Sequence, residues 1–188
     1  MTRALLLDFD GVVFKSKRAS SVIQKRCELY VQAQVMHPEY AKELNSIFYH
    51  EHGHTLLGMN AYLENKKSVY DFNSFVYDNI DYYDLKHGLD EDDFDVEMLD
   101  RCKKNFDCYL FSNAPRSWVS NICKLYGYSL KHQKVLDVSD YYLKPDLNAY
   151  MLAEEIIGPD RYDSIVFIDD SEMNIARAPR SWDKILYR

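Results

Sequence analysis

The hydrophobic pattern divides the chain into two textures. Residues 4–9 form a short apolar run that ends in acid and breaks at Gly11, the pattern of a buried strand. From about residue 20 to residue 85 the periodicity is helical, and no run reads as a buried strand. Ser20 is placed to cap a helix with Val22, Ile23, Cys27, Tyr30 and Val31 on its apolar face. Pro38 stands where a first helical turn tolerates it, ahead of Tyr40, Leu44, Ile47 and Phe48. A third helix, rich in Tyr and Phe, is expected over residues 69–80.

From residue 89 strand and helix alternate. Residues 96–104 read as a helix and 108–111 as a strand running into Ser112 and Asn113, after which Pro115 opens a helix that closes near Gly127. Residues 134–138 are a further strand candidate. Lys144-Pro145-Asp146 then leads a helix to residue 157, stopped by Gly158-Pro159. Residues 164–168 are a β-branched strand ending in Asp169 and Asp170, and residues 184–187 are a last short strand. This rhythm predicts an α/β fold, a Rossmann-like parallel sheet with crossover helices on its faces. Residues 1–14 and 89–188 would form that core, with residues 15–88 as a helical insertion.

Composition narrows the class. The 188 residues are 47% hydrophobic and 28% charged, which excludes wholesale disorder. A net charge of -7 argues against a nucleic-acid polymer as partner. Part of the acidic surplus is the run at residues 90–93, read as a solvated loop. No stretch approaches the roughly 20 apolar residues of a membrane span, and the apolar start is too short for a signal sequence. Cys27, Cys102, Cys108 and Cys123 show no CxxC spacing and suit reduced thiols. A cytoplasmic protein without membrane attachment is expected.

Three of the expected strands end in polar residues: Asp8 and Asp10, Ser112 and Asn113, Asp169 and Asp170. In an open parallel sheet, ligands bind at the carboxyl ends of strands, so these residues would line one cleft. Converging carboxylates repel one another and require a cation. Oxygen donors select a hard one, Mg²⁺. Beside a lysine, a hydroxyl and helix N-terminal amides, such a site attracts phosphate. Asp8 is then placed to attack phosphorus, and Asp10 to protonate the leaving oxygen and later to activate water.

The set resembles the haloacid dehalogenase (HAD) superfamily of phosphotransferases, whose four motifs stand here in order. They are Asp8-Phe9-Asp10-Gly11-Val12, Ser112 after an apolar strand, Lys144 before Pro145, and the pair Asp169-Asp170. The resemblance implies Asp8 as nucleophile and Asp10 as general acid and base. It implies Gly11, Ser112, Asn113 and Lys144 around the phosphoryl oxygens. Mg²⁺ would be held by Asp8, Asp169 and Asp170 with the main chain of Asp10. An acid at Asp10 separates phosphatases from the superfamily's dehalogenases. Ser171 and Asn174 either cap the following helix or support the acids.

The insertion lies where members of this superfamily carry a mobile helical cap, which excludes water and contacts substrate. Its run Phe48-Tyr49-His50-Glu51-His52-Gly53-His54-Thr55-Leu56-Leu57-Gly58-Met59 resembles the cap segment of the pyrimidine 5′-nucleotidase branch. It departs from that branch at His52, where tyrosine is usual, and at Leu57, where arginine is usual. The resemblance implies a small phosphorylated metabolite as partner, a nucleoside 5′-monophosphate such as UMP or CMP. Sugar phosphates, a phosphomutase reaction and a catalytically idle binding module stay open. The same run contains a literal HExxH, the zinc signature of metallopeptidases. Gly53 within it weakens a helix by about 1 kcal/mol, and no convincing third ligand follows, so packing or solvent-facing histidines are expected.

Overall fold

A computed structural model describes residues 2–188, which fall into two compact units, one running through Ser16 and resuming at Leu89, the other Lys17–Gly88. The first unit reaches past residue 14 because the chain after the first strand remains tied to it. Lys15 N–H donates to Asp93 O at 2.7 Å, and Asp95 N–H to Val13 O at 2.9 Å.

Five parallel strands organise the first unit: β1 (Arg3–Leu7), β2 (Asp107–Leu110), β3 (Lys134–Val135), β4 (Ser164–Asp169) and β5 (Asp183–Leu186). Their order is β3-β2-β1-β4-β5, the α/β Rossmann-like parallel sheet that the sequence predicts. Ala4, Leu5, Leu6 and Leu7 are all buried, as a strand covered on both faces requires. The order reverses direction at β1, whose neighbours are β2 on one side and β4 on the other. Such a switch point opens a crevice beyond the strand ends.

Two strand expectations change. Residues 134–138 pair over Lys134 and Val135 only, because residues 137–140 wind into a 3₁₀ turn. The last strand begins at Asp183 and ends at Leu186.

The helical unit contains α1 (Lys17–Gln34), α2 (Ala41–His52), α3 (Thr55–Tyr62), α4 (Val69–Tyr77) and α5 (Tyr82–Lys86). Ser20 lies inside α1 rather than capping it, since Lys17, Arg18 and Ala19 are good helix formers and extend it by a turn. Pro38 opens a 3₁₀ turn that runs into α2. The helix expected to reach residue 80 stops at Tyr77, where the Arg26 guanidinium donates to Val76 O and, at 2.6 and 2.5 Å, to Phe75 O and Asp78 O. Those carbonyls belong to a C-terminus that otherwise leaves them unsatisfied. Tyr30 packs edge-on against Phe72 and Phe75 inside this unit.

Gly53 ends α2 in the left-handed region, φ +73°, with its N–H on Tyr49 O. His50 and His54 are therefore not successive turns of one helix, and the HExxH run builds no zinc face. His54 caps α3 instead, its Nδ1 accepting from Leu56 N–H at 3.1 Å.

Four helices complete the first unit: α6 (Val96–Asn105), α7 (Arg116–Leu125), α8 (Leu147–Ile157) and α9 (Glu172–Arg177). One core joins Ala4, Leu6, Phe111, Ile165 and Phe167 to Ala149, Tyr150 and Ala153 of α8 and to Trp182. A second aromatic group, Phe9, Phe14, Phe94, Trp118 and Tyr126, packs with ring centroids 5.1–6.3 Å apart. Among the described residues no helix is long and apolar enough to cross a membrane.

Candidate active site

Asp8, Ser112 and Asp169 sit where strands of the sheet give out, and Lys144 stands in the loop ahead of α8. Asp8 follows β1 directly, its N–H still held by Ile168 O at 2.9 Å. The chain then reverses over residues 9–14, with the N–H groups of Val13 and Phe14 both on Phe9 O. Gly11 makes the reversal possible at φ +84°. A side chain there would also be obstructed, because a Cβ would stand 2.0 Å from Asp170 Oδ2. Gly11 thus lets the backbone come up against an acid from the far end of the sequence.

Lys144 is the centre of the charge arrangement. It is wholly buried, and its Nζ donates to Asp169 Oδ2 at 2.6 Å and to Phe111 O at 2.7 Å, with Asp8 Oδ1 at 3.1 Å. Burial alone would lower its pKa, but the charges of Asp169 and Asp8 more than offset this and raise it. The ammonium is therefore a fixed cation between two acids.

Its main chain is held by Asn113. The Asn113 Oδ1 accepts from Lys144 N–H at 2.7 Å, and its Nδ2 donates to Lys144 O at 2.8 Å. Both ends of this amide, expected near a phosphate, are engaged on the lysine backbone. Ser112 is buried, and its Oγ accepts from Ala114 N–H at 3.0 Å while keeping its own proton to donate.

Asp169 is wholly buried, with Ser171 N–H on Oδ1 at 2.8 Å and Asn174 Nδ2 at 3.0 and 3.1 Å from its two oxygens. Ser171 also caps α9 by accepting from Asn174 N–H. Both roles foreseen for this pair are present. Tyr150 OH donates to Asn174 O at 2.8 Å and ties α8 to the same support.

Asp8, Asp169 and Asp170 can bring three carboxylate oxygens within 4.8 Å of one another. Burial first, and then the mutual charges of Asp169, Asp170 and Asp10, push Asp8 well above the usual carboxylate range against the pull of Lys144. Asp170 is raised by desolvation and by Asp169. One buried ammonium does not neutralise three acids. The donor set is hard oxygen, partly exposed through Asp170, and it fits Mg²⁺ with water completing the shell.

Asp10 stands apart from that trio. Its Oδ1 accepts from the indole Nε1–H of Trp118 at 3.0 Å, across 108 positions of sequence. Burial raises its pKa to about 6, opposed by the Trp118 hydrogen bond. Trp118 was legible in the sequence only as an apolar position on a helix, and no motif marks it.

No protein-family model matches the chain, and no curated protein matches it. Solved structures do. An enzyme of the HAD family from Bacteroides thetaiotaomicron is 15% identical, with 100% of this chain and 94% of that one covered at a TM-score of 0.50. A dehalogenase is 14% identical over 98% and 84% at a TM-score of 0.53. The L-2-haloacid dehalogenase of Xanthobacter autotrophicus is 16% identical over 98% and 76% at 0.51. At these identities the likeness concerns the fold, and the fold is that of HAD-type enzymes.

Proposed function

We propose that the protein is a Mg²⁺-dependent phosphomonoester hydrolase of the HAD superfamily, acting through an aspartyl-phosphate intermediate on nucleoside 5′-monophosphates, with UMP and CMP as first candidates. The observation that carries this reading is the buried Lys144 ammonium between Asp8 and Asp169, in a cluster completed by Asp170. A carboxylate so placed is a nucleophile beside a site built for an anion and a cation.

The reaction follows from the residues. An Asp8 oxygen attacks phosphorus while the ester P–O bond breaks, and the departing oxygen takes the proton of Asp10. Water then gives a proton to Asp10 and attacks phosphorus, which releases phosphate and restores the Asp8 carboxylate. Ser112 would hold a phosphoryl oxygen with its hydroxyl proton, and Lys144, whose three N–H groups lie toward Asp169, Asp8 and Phe111 O, would act on the phosphoryl group through its charge. Bound at Asp8, Asp169 and Asp170, Mg²⁺ would supply charge stabilisation for the phosphoryl group. Asn113 serves this scheme through its grip on Lys144.

Halide displacement is the competing chemistry in this fold. A halide departs without a proton, whereas an alkoxide needs one, so an acid two residues after the nucleophile favours the phosphatase. The substrate class rests on the run Phe48–Met59 and its likeness to nucleotidase caps. Four free thiols support a cytoplasmic location.

The test is phosphate release from a panel of nucleoside monophosphates and sugar phosphates, with Mg²⁺ or EDTA and with Asp8→Asn as blank. Metal-dependent release concentrated on pyrimidine monophosphates is the expected result. Release spread over sugar phosphates would keep the chemistry and replace the substrate. No release from any ester would overturn the hydrolase reading.

A further inference from the structure

We infer that Trp118 is the positioning residue for the general acid, holding the Asp10 carboxylate by its indole N–H so that the proton meets the leaving oxygen. The inference rests on the hydrolase reading of Asp8 and Asp10. Trp118 is only 1% exposed and lies in the first turn of α7, which also buries Val119, Ile122 and Cys123. Phe14 meets its ring edge-on at 6.3 Å. An indole fixed on all sides offers one polar atom, and that atom lies 3.0 Å from Asp10 Oδ1.

The chemistry gives the contact a purpose. Asp8 is oriented by its own neighbours, with Phe9 N–H and Lys144 Nζ both on Oδ1. Asp10 sits on the reversal after β1, is half-buried, and has a side chain with two soft torsions. An acid that must serve one atom of the departing group works only within hydrogen-bond reach of it. Engaging Oδ1 with a rigid donor leaves Oδ2 as the oxygen that carries and returns the proton.

Trp118→Phe removes the N–H while keeping an aromatic ring on Phe14. Release of the leaving group in a single turnover, with enzyme in excess, isolates the first step from the second, which is common to all esters. It is compared for p-nitrophenyl phosphate, whose leaving group needs little protonation, and for the best alkyl phosphate of the panel, whose leaving group needs it fully. The expected result is a loss of about tenfold or more in the rate of this first step on the alkyl ester and a change within about threefold on the aryl ester, since general acids contribute roughly 10²–10⁴. KM should hardly move. In an Asp10→Ala background, Trp118→Phe should add nothing further.

Equal losses on both esters, or an additive loss beside Asp10→Ala, would overturn the inference and leave Trp118 as packing. A second measurement stands apart from activity and from the folding of the Trp118 variant. The chain has two tryptophans, so the ¹H–¹⁵N spectrum carries two indole resonances. Asp10→Ala should move the Trp118 indole proton upfield and speed its exchange; an unmoved resonance would sink the inference. Absence of turnover on every ester by the parental protein would overturn the hydrolase reading, and the catalytic role of Trp118 with it, while the resonance would still report whether the bond exists.

Discussion

Lys144 Nζ and Asp169 Oδ2 lie 2.6 Å apart, both in side chains with no exposure to solvent. A buried ion pair is weak evidence for stability as a whole, but removing one partner strands the other. Lys144→Met should therefore destabilise the protein by about 3–5 kcal/mol when no divalent ion is present. Urea denaturation in EDTA measures this. Added Mg²⁺ should restore part of the loss, because the cation takes over the charge that Lys144 balanced. An unchanged midpoint would mean that Asp8 and Asp169 need no counter-charge.

Asp8→Asn should end phosphate release while leaving the circular dichroism spectrum and melting behaviour close to the parental protein. The amide is nearly isosteric and lowers the crowding of acids that burial penalises. Residual turnover well above the blank would remove Asp8 as nucleophile. Asp169→Ala should weaken Mg²⁺ binding in calorimetry together with activity, whereas undiminished binding would move the metal elsewhere.

Gly11 and Gly127 form a matched pair of left-handed glycines, with φ +84° and +67°. Alanine at either costs about 1–2 kcal/mol of backbone strain. Only at Gly11 does the new methyl meet an acid, Asp170 Oδ2 at 2.0 Å; at Gly127 nothing lies within 4 Å. Gly11→Ala should lower Mg²⁺ affinity and turnover, while Gly127→Ala should lose stability alone. Equal turnover in the two variants would show that the approach of Asp170 to Gly11 does not matter to the site.

His54 makes the helical unit acid-sensitive. Burial lowers its pKa from the usual 6.5 to about 4, and its Nδ1 must stay unprotonated to accept Leu56 N–H. The unfolded chain then binds the proton first as pH falls. Stability from this group is complete above pH 6.5 and declines as pH drops toward 4. His54→Asn keeps an N-cap acceptor without the titration. Urea midpoints at neutral pH and near pH 5 should fall farther in the parental protein than in that variant. Parallel declines would clear His54 of the effect.

Local sequence determined where the three site-bearing strands give out and what stands on them. An apolar run closing on Asp8, another on Ser112 and a third on Asp169 are visible because burial on both faces writes itself as unbroken hydrophobicity, and Gly158 or Pro115 marks helix limits through backbone constraints alone. The brevity of β3 was not visible, since residues 134–138 have strand-like composition but lose their partner where the 3₁₀ turn begins. Nor was the start of α1, because a serine inside a good helix former looks like a cap. The site shows the same division. That Lys144 belongs with the acids follows from its place in an ordered set of motifs, but its reach to two acids and Phe111 O at once does not. Asn113 gripping the Lys144 backbone and Trp118 holding Asp10 are pairings over 31 and 108 positions. Periodicity describes one segment at a time, and these contacts exist only because the order β3-β2-β1-β4-β5 brings separate strand ends to one crevice.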